Sequence, residues 1–173
     1  MAEQRESDVN IERIDDLSIV SLKVCRKSIE SARSRLQLAS PTSATGSEPR
    51  SLWFGPDRWL LVSTSTTPDT MVRNCREALA GILHNAVDYS AGLMVLRIAG
   101  PNAGQLLASG SGLDFRPEQF PVHTCCRTRL AQVAAIIVAE APEQFEVYVD
   151  RSYGTYLAAW LSDSSGIDFS SQY

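Results

Sequence analysis

The chain has 173 residues, 44% of them hydrophobic and 21% charged, with a formal net charge of −4. That length suits one domain with a core that needs no disulfide or metal, and the acidic balance argues against a nucleic-acid backbone binder. The polar start, Met1 to Asp8, lacks the apolar stretch of a signal peptide, and the longest apolar run, Val133 to Ala139, is far short of the about 20 residues that span a bilayer; the expectation is a soluble, cytoplasmic protein.

Residues 1–16 are charged and lack periodicity, so they read as a flexible N-terminal segment. Ser18 to Val24 alternates Val20, Leu22 and Val24 with Ser21 and Lys23, which predicts a strand. Ser28 to Leu38 reads as a short helix, ended by Pro41 and a turn-rich loop to Pro49. Ser51 to Phe54 and Trp59 to Val62 flank Gly55-Pro56-Asp57, the turn chemistry of a hairpin.

The strongest helix signal follows. Thr67 can cap it, Pro68 takes the first position, and Asp69 suits the positive end of the dipole. Met71, Val72, Cys75, Ala78, Leu79, Ile82 and Leu83 recur at helical spacing. Ala86 to Ser90 and Leu93 to Ala99 read as strands. Gly100-Pro101 starts a helix that buries Ala103, Leu106 and Leu107 and ends near Gly110. After a loop, Thr128 to Glu140 contains a long apolar strand, and Phe145 to Val149 alternates like a strand with one wet face. A last helix starts near Ser152 with Tyr153, Tyr156, Leu157, Trp160 and Leu161 as its apolar stripe. The order implies an α+β fold with a mostly antiparallel sheet and covering helices. The organisation expected is a single domain over 17–163 with a polar tail over 164–173. A weak self-similarity between the halves is also visible.

Chemistry-bearing residues are sparse. Cys25, Cys75, Cys125 and Cys126 form no C-x-x-C pair, and adjacent cysteines on a strand point to opposite faces. Reduced thiols are the expectation. His84 falls at the end of the amphipathic helix, where a cation complements the dipole. His123 stands near Cys125 and Cys126, so a Cys–His contact is not excluded by spacing. No G-x-G-x-x-G or P-loop pattern is present. Asp88 reads as a buried structural acid, Asp114 as a loop brace, and Asp150-Arg151-Ser152 as a helix lead-in. Trp53, Trp59 and Trp160 read as core or interface anchors. No catalytic, cofactor-binding or metal-ligating residue is assigned.

Several segments share an order and spacing. They are Leu52-Trp-Phe-Gly-Pro-Asp-Arg-Trp-Leu-Leu-Val62, Val87-Asp-Tyr-Ser90, Ile98-Ala-Gly-Pro-Asn-Ala103, Leu113-Asp-Phe115, Phe120-Pro121, Cys126-Arg-Thr-Arg-Leu130 and Phe145-Glu-Val-Tyr-Val-Asp-Arg-Ser-Tyr153. Together they resemble the sarcosine oxidase gamma-subunit family, from Leu36 to Leu161. That family is similar in fold to the folate-binding domain of the glycine-cleavage T-protein. There an Asp-x-Ser strand precedes a Gly-x-x-Ala helix start, which Asp88-Tyr-Ser90 and Gly100-Pro-Asn-Ala103 fit. The T-protein's catalytic aspartate lies on a strand comparable to Ala131–Val138, which carries no acid here.

The resemblance implies a non-catalytic structural subunit of a heterotetrameric oxidoreductase, with alpha, beta and delta subunits as partners. It implies oxidation of the sarcosine N-methyl group, giving glycine and hydrogen peroxide. The one-carbon unit passes to tetrahydrofolate or leaves as formaldehyde. FAD, FMN and NAD would sit in the alpha and beta subunits and zinc in delta, with no nucleic-acid or membrane partner. Three alternatives stay open: a stand-alone folate-binding protein of T-protein type, a subunit of an oxidase for another N-methyl amine, and an unrelated soluble adaptor.

Overall fold

A computed structural model describes residues 9–166. It divides the chain into two compact units. One contains the described residues 9–14, 94–122 and 128–166; the other contains 15–93 and 123–127. Each unit carries most of one sheet. Alternation reveals each strand but not which sheet receives it.

In the second unit, β2 (Ser18–Val24), β3 (Arg50–Gly55), β4 (Arg58–Ser63) and β5 (His84–Asp88) form an antiparallel sheet in the order β3-β4-β2-β5. The alternation of β2 sets its register: Val20 lies opposite Leu61 and Leu22 opposite Trp59. The helices α1 (Ile29–Leu36) and α2 (Pro68–Ala78) belong to the same unit, and Val20, Leu22, Trp59 and Leu61 share one apolar cluster with Ala32, Met71 and Cys75. Burying such side chains supplies about 1.5–3 kcal/mol each. Trp59 Nε1 donates to the Ala39 carbonyl at 2.9 Å, so the ring is buried without an orphaned donor.

The helix starts as its sequence dictates: Thr67 accepts from the Thr70 amide, and Pro68 opens α2. Its end differs from the periodic reading. Apolar spacing continues to Leu83, but the helix stops at Ala78 and a turn through Gly81, at φ +80°, redirects the chain. Leu83 is left 79% exposed, and His84 begins β5 instead of ending a helix.

The first unit holds β1 (Asn10–Ile14), β6 (Leu93–Ala99), β7 (Cys125–Leu130), β8 (Val133–Ala141) and β9 (Gln144–Asp150), in the order β1-β6-β9-β8-β7. The first three residues of β7 belong to the other unit, as does Leu93. The segment read as flexible over 1–16 therefore contains a strand. β1 pairs antiparallel with β6, Ile11 opposite Ile98 and Glu12 opposite Arg97. Glu12 and Arg13 hide the strand from periodicity, and Glu12 is matched across the pair by Arg97. Residues 1–8 lie outside the described residues.

The apolar stretch from Thr128 also splits in two. Ala131 and Gln132, at φ +49° and +75°, turn β7 back into β8. Neither is glycine, so turn chemistry gives no warning; Arg129 Nη2 bridges to the Gln132 side chain at 2.8 Å. The helices are α3 (Ala103–Gly110) and α4 (Gly154–Ser165). Ala103, Leu106 and Leu107 are buried from α3, and Leu157, Ala158 and Leu161 from α4. Tyr153 and Tyr156, read as part of the apolar stripe, are 48% and 46% exposed. α4 takes the start of the expected tail to Ser165, and residues 167–173 lie outside the described residues.

Candidate functional site

The residues singled out by chemistry go to separate places. His84 sets its Nδ1 2.8 Å from the Ile82 carbonyl, to which it donates across the turn. His123 is exposed, with φ 68°, and its carbonyl accepts from the Ala44 amide at 2.8 Å. Cys125 is buried and donates from Sγ to the Trp53 carbonyl at 3.3 Å. Cys126 is half-buried, and burial raises its thiol pKa, which opposes thiolate formation. The adjacent cysteines thus differ in burial, as alternation on a strand requires. Among the described residues, no group of three or more His, Cys, Asp or Glu side chains is placed to hold a metal.

Asp88 corrects an expectation. It is exposed, not buried, and its Oδ1 accepts from the Ser90 amide at 2.9 Å and the Ser90 hydroxyl at 2.6 Å. Ser90 Oγ in turn accepts from the Ile19 amide at 2.9 Å. The Asp-Tyr-Ser segment is therefore an Asx-type brace that ties the end of β5 to β2. Asp150 does the same before α4: it accepts from the Ser152 amide and hydroxyl, which hold its carboxyl below the usual range. Asp114 forks onto Arg116, with contacts of 2.9 Å and 2.5 Å to Oδ2. Those hydrogen bonds lower the Asp114 pKa and raise that of Arg116.

One polar constellation is absent from the sequence reading. Glu146 in β9 is 5% exposed, although its strand looks like one with a wet face. Tyr148 donates to Glu146 Oε2 at 2.6 Å, and Arg97 Nη2 lies 3.5 Å from Oε1. Arg97 Nη1 also pairs with Glu12 Oε1 at 2.6 Å. An anion, a cation and an anion thus stand on the neighbouring strands β1, β6 and β9. The signal available was the Glu-x-Tyr spacing, which puts both side chains on one face. Each charge in this row has an opposite partner. The row can fix the register of three strands, because a slip of one residue would bury the charges unpaired.

Trp53 is half-buried, Trp59 is buried in the apolar cluster, and Trp160 is half-buried against Gly110. β8 starts at Val133 and runs to Ala141; its one acid is Glu140, beyond Val138. Exposed apolar side chains remain at Leu83 and Val87 in one unit, and at Tyr153 and Tyr156 in the other.

A structure from Corynebacterium sp. U-96, heterotetrameric sarcosine oxidase in complex with pyrrole 2-carboxylate, contains a chain similar to this one. The TM-score is 0.82 at 22% identity, covering 95% of this chain and 87% of that one. The aminomethyltransferase T of the glycine cleavage system from Bartonella henselae matches with a TM-score of 0.66 at 15% identity, over 90% of this chain and 46% of that one. Both likenesses show the fold. Sarcosine oxidase subunit gamma from Corynebacterium sp. (strain U-96) is 26% identical over 113 residues, which is 65% of this chain and 54% of that protein. Its counterpart from Arthrobacter sp is also 26% identical over 113 residues. The chain spans about half the length of these curated relatives. The description of the sarcosine oxidase, gamma subunit family matches residues 30–167, most of the sequence, and the chain belongs to that family.

Proposed function

We propose that this chain is a structural, non-catalytic subunit of a heterotetrameric sarcosine oxidase. Its partners are alpha, beta and delta subunits, and the complex works in the cytoplasm. The complex oxidises the N-methyl group of sarcosine, yielding glycine and hydrogen peroxide, and passes the one-carbon unit to tetrahydrofolate. FAD, FMN and NAD are held by alpha and beta, and zinc by delta. The observation that carries this reading is the family match together with the fate of the acids. Asp88 braces a strand end, Asp150 a helix lead-in, and Glu146 a cross-strand charge row. Each is engaged by its own neighbours in a way that serves the fold. No helix among the described residues is long and apolar enough to cross a membrane.

Co-expression with the other three subunits tests the proposal. The expected result is a stable four-chain complex that oxidises sarcosine, together with an isolated chain whose tryptophan fluorescence shows no saturable response to tetrahydrofolate. The T-protein-like fold supplies the opposing reading. Tight tetrahydrofolate binding and methylene transfer by the isolated chain would establish it in place of the structural role. A complex that prefers another N-methyl amine would revise the substrate alone.

A further inference from the structure

Within the first unit, the start of α3, the loop after it and the turn between β8 and β9 enclose a cleft of about 300 Å³. Its floor is aromatic. Phe115 and Phe145 are buried and meet edge to face at 5.7 Å. Gly104 packs against that floor: a Cβ there would stand 3.5 Å from Phe115 Cβ and 3.9 Å from Phe145 Cζ, ordinary contact distances. Each of the three enclosing segments also contributes a proline, so the walls are apolar and stiff. The volume is at the low end for ligand sites, which suits one side chain better than a cofactor.

The rim carries charge of one sign in excess. Asp114 and Arg116 neutralise each other through their forked pair, so the guanidinium is already committed. Glu143 also lines the cleft and has no ion pair among the described residues, and Glu118 acts on Arg116 from nearby. An apolar slot under a net acidic rim fits an apolar side chain flanked by cations.

We infer that this cleft docks a basic segment of a partner protein chain, one that inserts an aromatic or large aliphatic side chain over Phe115 and Phe145 and sets a lysine or arginine against Glu143. The inference rests on reading the chain as a subunit, since a partner chain supplies the segment.

The full chain, labelled with ¹⁵N, is titrated with three capped tripeptides: Lys-Phe-Lys, Glu-Phe-Glu and Lys-Ala-Lys. Lys-Phe-Lys is expected to give saturable amide shifts at Gly104, Gln105 and Arg116. Glu-Phe-Glu should bind more weakly by up to about five-fold, the scale of one exposed charge contact, and Lys-Ala-Lys should leave those amides unmoved. Glu143→Lys should weaken Lys-Phe-Lys by a similar factor. Gly104→Leu fills the slot and should abolish the shifts. If that variant does not fold, the peptide series and Glu143→Lys decide. Silence at these amides, or equal binding of the acidic peptide, overturns the inference. Such silence alongside an intact four-chain complex removes the cleft's role and leaves the subunit reading standing. Peptide binding without any complex does the reverse.

Discussion

The indole of Trp160 lies across Gly110 so closely that a Cβ on the glycine would stand 2.5 Å from Cη2 and 2.6 Å from Cζ2, with Leu130 Cδ1 at 3.1 Å. The last residue of α3 is thus the seat of a ring from α4. Gly110→Ala would favour the helix by about 0.5–1 kcal/mol, but overpacking costs about 1–3 kcal/mol, so overpacking wins. The expected outcome is a net loss on the order of 1 kcal/mol in urea unfolding, with a red-shifted Trp160 emission as the ring swings toward water. In a Trp160→Ala background the same change should cost much less, because only the 3.1 Å approach to Leu130 remains. Equal effects in both backgrounds would show that the ring is not what the glycine accommodates.

The charge row in the five-stranded sheet predicts unequal costs. Tyr148→Phe removes one donor from the buried Glu146 carboxylate and should cost about 1–3 kcal/mol. Arg97→Met removes its cation and frees Glu12 as well. Breaking a buried pair costs about 3–5 kcal/mol, but Arg97 is partly exposed, which brings the expectation to about 2 kcal/mol. Replacing Glu12, Arg97 and Glu146 together with apolar residues should cost less than the sum of the single changes. Additive losses in a full cycle of variants would mean that the row is not one coupled unit.

Cys75 sits in the apolar cluster with its thiol pKa pushed up to about 11 from 9.0 by burial. In the unfolded chain the thiol ionises from pH 9.0, while the folded chain keeps its proton until about 11. Between those values the unfolded state binds fewer protons. The stability contribution is therefore full below pH 9 and declines as pH rises toward 11, by on the order of 2 kcal/mol. A Cys75→Val variant should lack this alkaline slope. At pH 8, Ellman's reagent should leave Cys75 unmodified in the native chain and react with it after denaturation.

Glu48 gives the opposite dependence. Burial raises its pKa, but hydrogen bonds from the Ser63 hydroxyl, the Thr64 and Ser65 amides and the Ser65 hydroxyl outweigh that, so it falls below 4.5. A lowered folded pKa gives stability that is present above 4.5 and lost as pH drops through the folded value. Glu48 is exposed, so the contribution is at most about 1 kcal/mol. Glu48→Gln should melt lower than the parent at pH 7, and the gap should close in acid. A gap that persists well below the carboxylate range would show that shape, not charge, holds the clamp.

Local chemistry settles several elements before any fold is known. Val20, Leu22 and Val24 alternate, so one face of β2 must be buried. Thr67 and Pro68 fix where α2 begins, and Gly55-Pro56-Asp57 fixes a hairpin. The family resemblance reads directly from these ordered segments.

The remaining features depend on partners distant in the chain. β1 is a strand because it pairs with β6, which sets Ile98 opposite Ile11 and Arg97 opposite Glu12, 85 residues away. Glu146 is buried because β9 lies inside a sheet with that arginine beside it, whereas alternation alone reads it as solvated. Periodicity extends the second amphipathic helix to Leu83, but the helix ends at Ala78 and the turn through Gly81 leaves that leucine in water. Sequence fixes propensity and period, because those act between near neighbours. Which polar side chains become buried, which apolar ones stay in water, and how the strands divide between two sheets are decided by tertiary contact.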